Sequence, residues 1–279
     1  MPPFKPFRLA LIQLGNVTPN KSDNLKHARD MILKAAASAK KPDLIVLPEC
    51  FNSPYGHVHF PVYAEKIGFT GKPYNIAETE SESACFPSVA KETNTWLIGG
   101  RITGSIPERD VQGQDLYNTC TVYNPNGDLV AMHRKVHLFD IDIPGKITFK
   151  ESETLTGGST TNFFDTEFAR IGLGICYDIR FPELAMISAR QGAHVLIYPG
   201  AAVDNQVFFA MCSPARDMSA GYHAWGHSMV VDPMFWSRPA EAEDIIYADI
   251  DPAVMDSARA GIPVTVQRRF DVYSDVSQS

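Results

Sequence analysis

Three apolar runs in this chain each give way to a side chain able to do chemistry. Glu49 closes "DLIVLPE" (43–49), Lys135 opens out of a hairpin strand in "HRKVHLF" (133–139), and Cys176 ends "RIGLGIC" (170–176). Each has an ordinary structural explanation: the charges as rim groups of a sheet, the free cysteine as core filling. Together they make a complete nucleophilic set. A thiol with a pKa of about 8.5 is mostly protonated at neutral pH, so a carboxylate must take its proton and a cation must favour the thiolate. Strand ends of α/β sheets are where such groups converge.

Competing motifs are weaker. "GLGICY" (172–177) begins like a G-x-G-x-x-G phosphate loop, but Tyr177 holds the third glycine's place, and no G-x-S-x-G or P-loop is present. The pairs His57/His59 and His133/His137 have ligand-like spacing without an H-E-x-x-H, so no metal is expected. The five cysteines are spread out with no C-x-x-C, which speaks against a disulfide framework and for a reducing compartment. A net charge of −7 with no Lys/Arg-rich block argues against nucleic acid or an anionic membrane as the main partner. No apolar stretch approaches the roughly 18 residues of a membrane span, and the start reads as a first strand. A cytoplasmic setting is expected, with the mitochondrion as the alternative.

The elements that must position these groups follow from periodicity. "RLALIQL" (8–14) is a strand, and Leu25, Ala28, Met31, Ile32, Ala35 and Ala36 fall at helical spacing within 20–39. "DLIVLPE" reads as a buried strand, 74–92 holds a helix, and "TWLIGG" (95–100) is another strand. This alternation implies parallel pairing. Asn126-Gly127 turns a hairpin within 116–136, and "FFDTEFARIGLGICYD" (163–178) is a second one. "FPELAMISARQG" (181–192) is a helix with Pro182 at its start and Gly192 past its end. Strands "AHVLIYPG", "VFFAMCS", "HSMVVD" and "DIIYADID" follow, then a short helix near 252–260 and a polar tail. With 44% hydrophobic and 20% charged residues, the chain reads as one α/β domain of mixed sheets.

Three long blocks in order, "LPECFNSPYG" (47–56), "HRKVHLFDIDIPGKITFKES" (133–152) and "GLGICYDIRFPELA" (172–185), resemble the signatures of the carbon–nitrogen hydrolase (nitrilase) superfamily. Their wording is similar to the omega-amidase branch, and the likeness covers about residues 7–273, as a single domain within 1–279. The resemblance implies a four-layer α-β-β-α sandwich, association as a homodimer, and no cofactor. It also implies a Glu-Lys-Cys triad, here Glu49, Lys135 and Cys176, with a second glutamate at Glu151. The N–H of Tyr177 would help hold the oxyanion, and Arg180 would pair with a substrate carboxylate. The alternative for Arg180 is an ion pair with Glu183 at the helix start.

The substrate so implied is a small dicarboxylate monoamide such as 2-oxoglutaramate or 2-oxosuccinamate. The alternatives are deaminated glutathione, or a catalytically impaired isoform acting only as a binding partner. One departure from the family bears on that choice. The superfamily carries a loop and most of a helix between "YPGA" (198–201) and "AVDNQV" (202–207), and this chain lacks that crossover after residue 201. "GAAVDNQ" is short for the connection that parallel strands need, so their normal registry is expected to suffer. Smaller departures lie at "VVDPMFWSRPAEAED" (230–244), 67–85 and 101–106.

Overall fold

The structure, a computed structural model, describes residues 2–67, 69, 71–75, 85–99, 105–110, 112–145, 147–197, 205–219, 223–233, 241–268 and 271. The chain opens with β1 (Phe7–Gln13), α1 (Lys21–Ala37), β2 (Leu44–Val46), α2 (Phe60–Tyr63) and β3 (Tyr74–Asn75). Next come α3 (Cys85–Thr93), β4 (Trp96–Gly99), β5 (Ser105–Arg109), β6 (Leu116–Tyr123) and β7 (Asp128–Arg134). A small hairpin, β8 (Asp140–Ile143) and β9 (Ile147–Lys150), leads to β10 (Asn162–Asp165), β11 (Arg170–Leu173) and α4 (Pro182–Arg190). The remainder is β12 (Val195–Ile197), β13 (Phe208–Met211), β14 (Met229–Val231), β15 (Asp244–Ile250), α5 (Pro252–Gly261) and the one-turn α6 (Val264–Gln267).

Alternation along the strands builds the layers. In β1, Leu9 and Leu11 face a core shared with Ile171, Val195 and Phe208 of the second sheet. Ala10 and Ile12 point the other way, onto Leu25, Ala28 and Ile32 of α1 and Val89 of α3. The second sheet repeats the device, with Leu196 and Phe209 turned outward onto Leu184 and Ala185 of α4. The result is helices, sheet, sheet, helix, the expected four-layer α-β-β-α sandwich. The first sheet runs β15-β1-β2-β4-β6-β7-β3 with β5 also on β6, and the second runs β10-β11-β12-β13-β14. Pairing of β1 with β2 and of β2 with β4 is parallel, as the alternation implied.

Local signals explain the helices. Asn20 caps α1 by accepting from the N–H groups of Ser22 and Asp23 at 3.0 and 3.3 Å. Pro182 sits in the first turn of α4, where its missing N–H does no harm. The helix expected within 74–92 is found at 85–93, and 76–84 lie outside the described residues. Most of the departures at 67–85 and 101–106, residues 234–240 of the departure at 230–244 and the tail from 272 also lie outside them. Among the described residues, no helix is long and apolar enough to cross a membrane.

The expected loss of registry does not occur. β12 and β13 pair in parallel, with Val195 opposite Phe208 and Ile197 opposite Ala210. Beyond the "GAAVDNQ" counted from the sequence, Val207 is also not strand and β13 begins only at Phe208, so the connection is longer than that count. Positions 198–204 lie outside the described residues.

Gly158 is where the fold presses closest on the site. Its N–H donates to the Lys135 carbonyl at 2.7 Å, and a Cβ there would meet the Arg134 carbonyl oxygen at 2.3 Å. That neighbour is backbone and cannot swing away. Gly158→Ala is therefore expected to destabilise the protein by about 1–3 kcal/mol through overpacking, read as a lowered denaturation midpoint. An unchanged midpoint would show that the strand behind Lys135 can yield.

Candidate active site

Each predicted site residue comes from the end of a strand. Beyond β2, the chain turns through Glu49 and Cys50, and Cys50 takes a left-handed φ of 51°. Lys135 follows β7, its N–H donating to the Asn118 carbonyl at 2.8 Å. Glu151 begins a 3-10 turn after β9, and Cys176 begins another, Cys176–Arg180, after β11. Cys176 itself has φ 44°, a conformation that non-glycine residues rarely adopt and that a surrounding structure must enforce.

These turns bring four groups together. The Lys135 ammonium is buried, 3.1 Å from Glu49 Oε1 and 3.0 Å from both carboxylate oxygens of Glu151. The Cys176 thiol lies close enough to Glu49, Lys135 and Glu151 for all three to act on its pKa. Two partners went unnoticed in the sequence. Asn118 donates from Nδ2 to Glu49 Oε1 at 2.7 Å, and the Tyr55 hydroxyl donates to Glu151 Oε1 at 2.6 Å. The Phe139 N–H holds the other Glu151 oxygen at 2.7 Å. Tyr55 stands inside the first signature block, so its place there was the available signal. Asn118 carried no such mark, standing beside Thr119 and near Thr121 in one strand.

The charges explain the protonation states. Burial works against the Lys135 cation, yet Cys176, Glu49 and Glu151 together hold its pKa well above the ordinary lysine value. Burial pushes the Cys176 thiol up strongly, and the Glu49 charge adds to this; Lys135 offsets only part. Lys135 acts in the thiolate's favour, but burial and the carboxylates act against it more strongly. One ammonium already faces two carboxylates, so a third anion has no surplus charge to meet. Cys50 is also driven up, by burial and then Glu49, and Cys120 to about 12 by burial alone.

A cavity of about 1050 Å³ opens over this cluster, lined among others by Glu49, Tyr55, Phe139, Cys176, Tyr177 and Arg180. Tyr177 is placed so that its backbone N–H stands at the start of the 3-10 turn, where such groups have no partner within the turn. The exposed Arg180 makes no ion pair with Glu183; among the described residues its guanidinium is unpaired. Among the described residues, no group of three or more His, Cys, Asp or Glu is placed to hold a metal. His133 and His137 instead face Asp178.

Two measurements test this electrostatic picture. Alkylation of Cys176 by iodoacetamide should be slow at neutral pH and climb about tenfold per pH unit past about pH 9 without levelling off, because raising the thiol pKa lowers its thiolate fraction at any lower pH. A plateau by about pH 8 would instead show a stabilised thiolate. Lys135→Met strands Glu49 and Glu151 without their counter-charge, and breaking such a buried pair is expected to lose about 3–5 kcal/mol of stability. A midpoint in denaturant matching the wild type would show that the carboxylates find other partners.

Comparisons with known proteins agree with the geometry. The profile of the carbon–nitrogen hydrolase family matches residues 8–260. The chain is 48% identical to human Omega-amidase NIT2, with 96% of this chain and 97% of that protein covered. That alignment spans 289 positions, more than the 279 residues of this chain, so the relative carries positions that this chain lacks. Omega-amidase NIT3 of Saccharomyces cerevisiae is 45% identical, covering 97% and 96%. The crystal structure of Saccharomyces cerevisiae Nit3, described as a member of branch 10 of the nitrilase superfamily, superposes with a TM-score of 0.83 at 41% identity. It covers 95% of this chain and 97% of that one. From its sequence, its four layers and the cluster between them, the chain belongs to the carbon–nitrogen hydrolase family.

Proposed function

We propose that this protein is an omega-amidase that hydrolyses the terminal amide of a small dicarboxylate monoamide, of the 2-oxoglutaramate or 2-oxosuccinamate kind, through a Cys176 thioester. The observation that carries the reading is the joint placement of Glu49, Lys135, Glu151 and Cys176 under a cavity that also holds an unpaired Arg180. The similarity to proteins named omega-amidases supports it.

The cycle follows from the charges. Because the free thiol is protonated, proton transfer to Glu49 accompanies attack of sulfur on the amide carbon rather than preceding it. The developing oxyanion takes the place of the missing thiolate charge beside Lys135, and the Tyr177 N–H is the second donor available to it. Glu49 then returns the proton to the departing nitrogen, the C–N bond breaks and ammonia leaves. Water, deprotonated by the same carboxylate, attacks the thioester, the C–S bond breaks and the thiol is regained. Glu151 keeps Lys135 in place throughout. Arg180 offers a planar fork to the distal carboxylate, which a lysine could not match in geometry.

The positions absent relative to the human protein favour a second reading, a catalytically impaired member retained as a binding partner. Ammonia release from 2-oxoglutaramate, 2-oxosuccinamate and deaminated glutathione separates these readings. Glu49→Gln should lower kcat by at least about 10²–10⁴-fold, the usual worth of a general acid–base. Arg180→Ala should raise KM for amides bearing a free carboxylate and spare neutral amides. Equal losses on both would sink the carboxylate clamp.

A further inference from the structure

A buried carboxylate close to the reacting groups takes no part in the reaction chemistry above. Asp178 is fully buried, two residues after Cys176. Its Oδ1 accepts from the backbone N–H and the Nδ1 of His137, both at 2.8 Å. Its Oδ2 accepts from the Ile175 N–H at 2.9 Å and lies 3.3 Å from His133 Nε2. Asn162 Nδ2 donates to the Thr160 carbonyl at 3.2 Å, which fixes the orientation of that amide. The same Nδ2 faces His133 Nδ1 at 3.2 Å, so that ring nitrogen accepts and the His133 proton sits on Nε2, aimed at Asp178. Burial alone would lift the Asp178 pKa, but the His133 hydrogen bond and the His137 and Ile175 N–H groups hold it below the ordinary range.

His133 and His137 bracket Lys135, and Ile175 immediately precedes Cys176. One carboxylate therefore gathers the residues on both sides of the ammonium and the residue before the thiol. This matters because Lys135 and Cys176 hang from different sheets, β7 of the first and β11 of the second. Apolar contact between the sheets is non-directional and does not by itself fix the separation of two polar groups. We propose that Asp178 is a positioning residue that, through His137 and His133, sets the Cys176 thiol against Lys135 and Glu49. The proposal rests on the reading of Glu49, Lys135 and Cys176 as the reacting centre.

His137 offers the cleanest test, since it is partly exposed at the site's edge. It stacks on Phe181 with ring centroids 3.6 Å apart, so a variant must separate stacking from hydrogen bonding. In His137→Asn the side-chain Nδ2 can stand where the ring Nδ1 stood, restoring the bond to Asp178 without the stack. Steady-state ammonia release from 2-oxoglutaramate should show kcat down about tenfold or more in His137→Ala, with KM within about threefold, as expected for misplaced reacting groups. His137→Asn should recover most of that loss. Asp178→Asn, which turns an amide N–H onto existing donors, should fall about 10²-fold, and adding His137→Ala to it should cost little more. Melting temperatures of the two His137 variants should stay within a few degrees of wild type. If Asp178→Asn fails to fold, the His137 pair decides the matter alone. Equal kcat for His137→Ala and wild type, or equal losses for the alanine and asparagine variants, overturns the positioning role. Cys176→Ala serves as the control. Turnover surviving in it, or absent in wild type, overturns the catalytic reading itself; a dead Cys176→Ala beside an unaffected His137→Ala overturns only the role of Asp178.

Discussion

The structure turns on one ammonium group buried out of solvent. Lys135 is buried and shared between Glu49 and Glu151, and a cation in that position is tolerable only because both carboxylates are within hydrogen-bonding distance. The converse also holds, since without the ammonium the two carboxylates would face each other with no counter-charge between them. This mutual dependence sets the character of the site. The cluster carries one negative charge in excess at rest, which disfavours a thiolate. It is suited to a reaction in which negative charge appears on substrate only as a proton moves away.

The sandwich exists in the form needed to hold that cluster. Two sheets, each with apolar residues on both faces, are packed inner face to inner face. Glu49 and Lys135 leave the first sheet, at the ends of β2 and β7, and Cys176 leaves the second at the end of β11. Cys50 and Cys176 both sit at left-handed backbone turns, which reverse the chain abruptly and aim side chains over the sheet rim. Gly158 closes the back of the site against the Arg134 carbonyl. The reacting groups thus stand on backbone fixed by ladders and turns, with the wider cavity wall left to loops.

Much of this was legible in the sequence because it is local. Glu49, Lys135 and Cys176 each interrupt an apolar run, and an interruption can be seen without knowing the fold. The strands and α1 announced themselves by alternation and by spacing of three and four. What could not be read depends on register. Asn118 and Thr119 are neighbours in one strand and look equivalent, yet the first reaches Glu49 while the second turns to Glu108 on the other face, at 2.6 Å. The β8–β9 hairpin was hidden because its outward face is exposed and its residues were read only as part of a signature. The balance of charge around Cys176 is hidden for a related reason. Sequence supplies a cation, but only the assembled site shows how many anions already claim it.

The pair of donors on Glu49 carries a stereochemical consequence. Oε1 receives both Asn118 Nδ2 and Lys135 Nζ, so its lone pairs are engaged. A free carboxylate has two equivalent oxygens; this one does not. In the proposed cycle every proton that Glu49 takes up or gives back must travel on Oε2, approaching and leaving along one direction. Thiol, departing amine and incoming water then have to present themselves to the same lone pair in turn, so the order of events is written into the asymmetry of a single side chain.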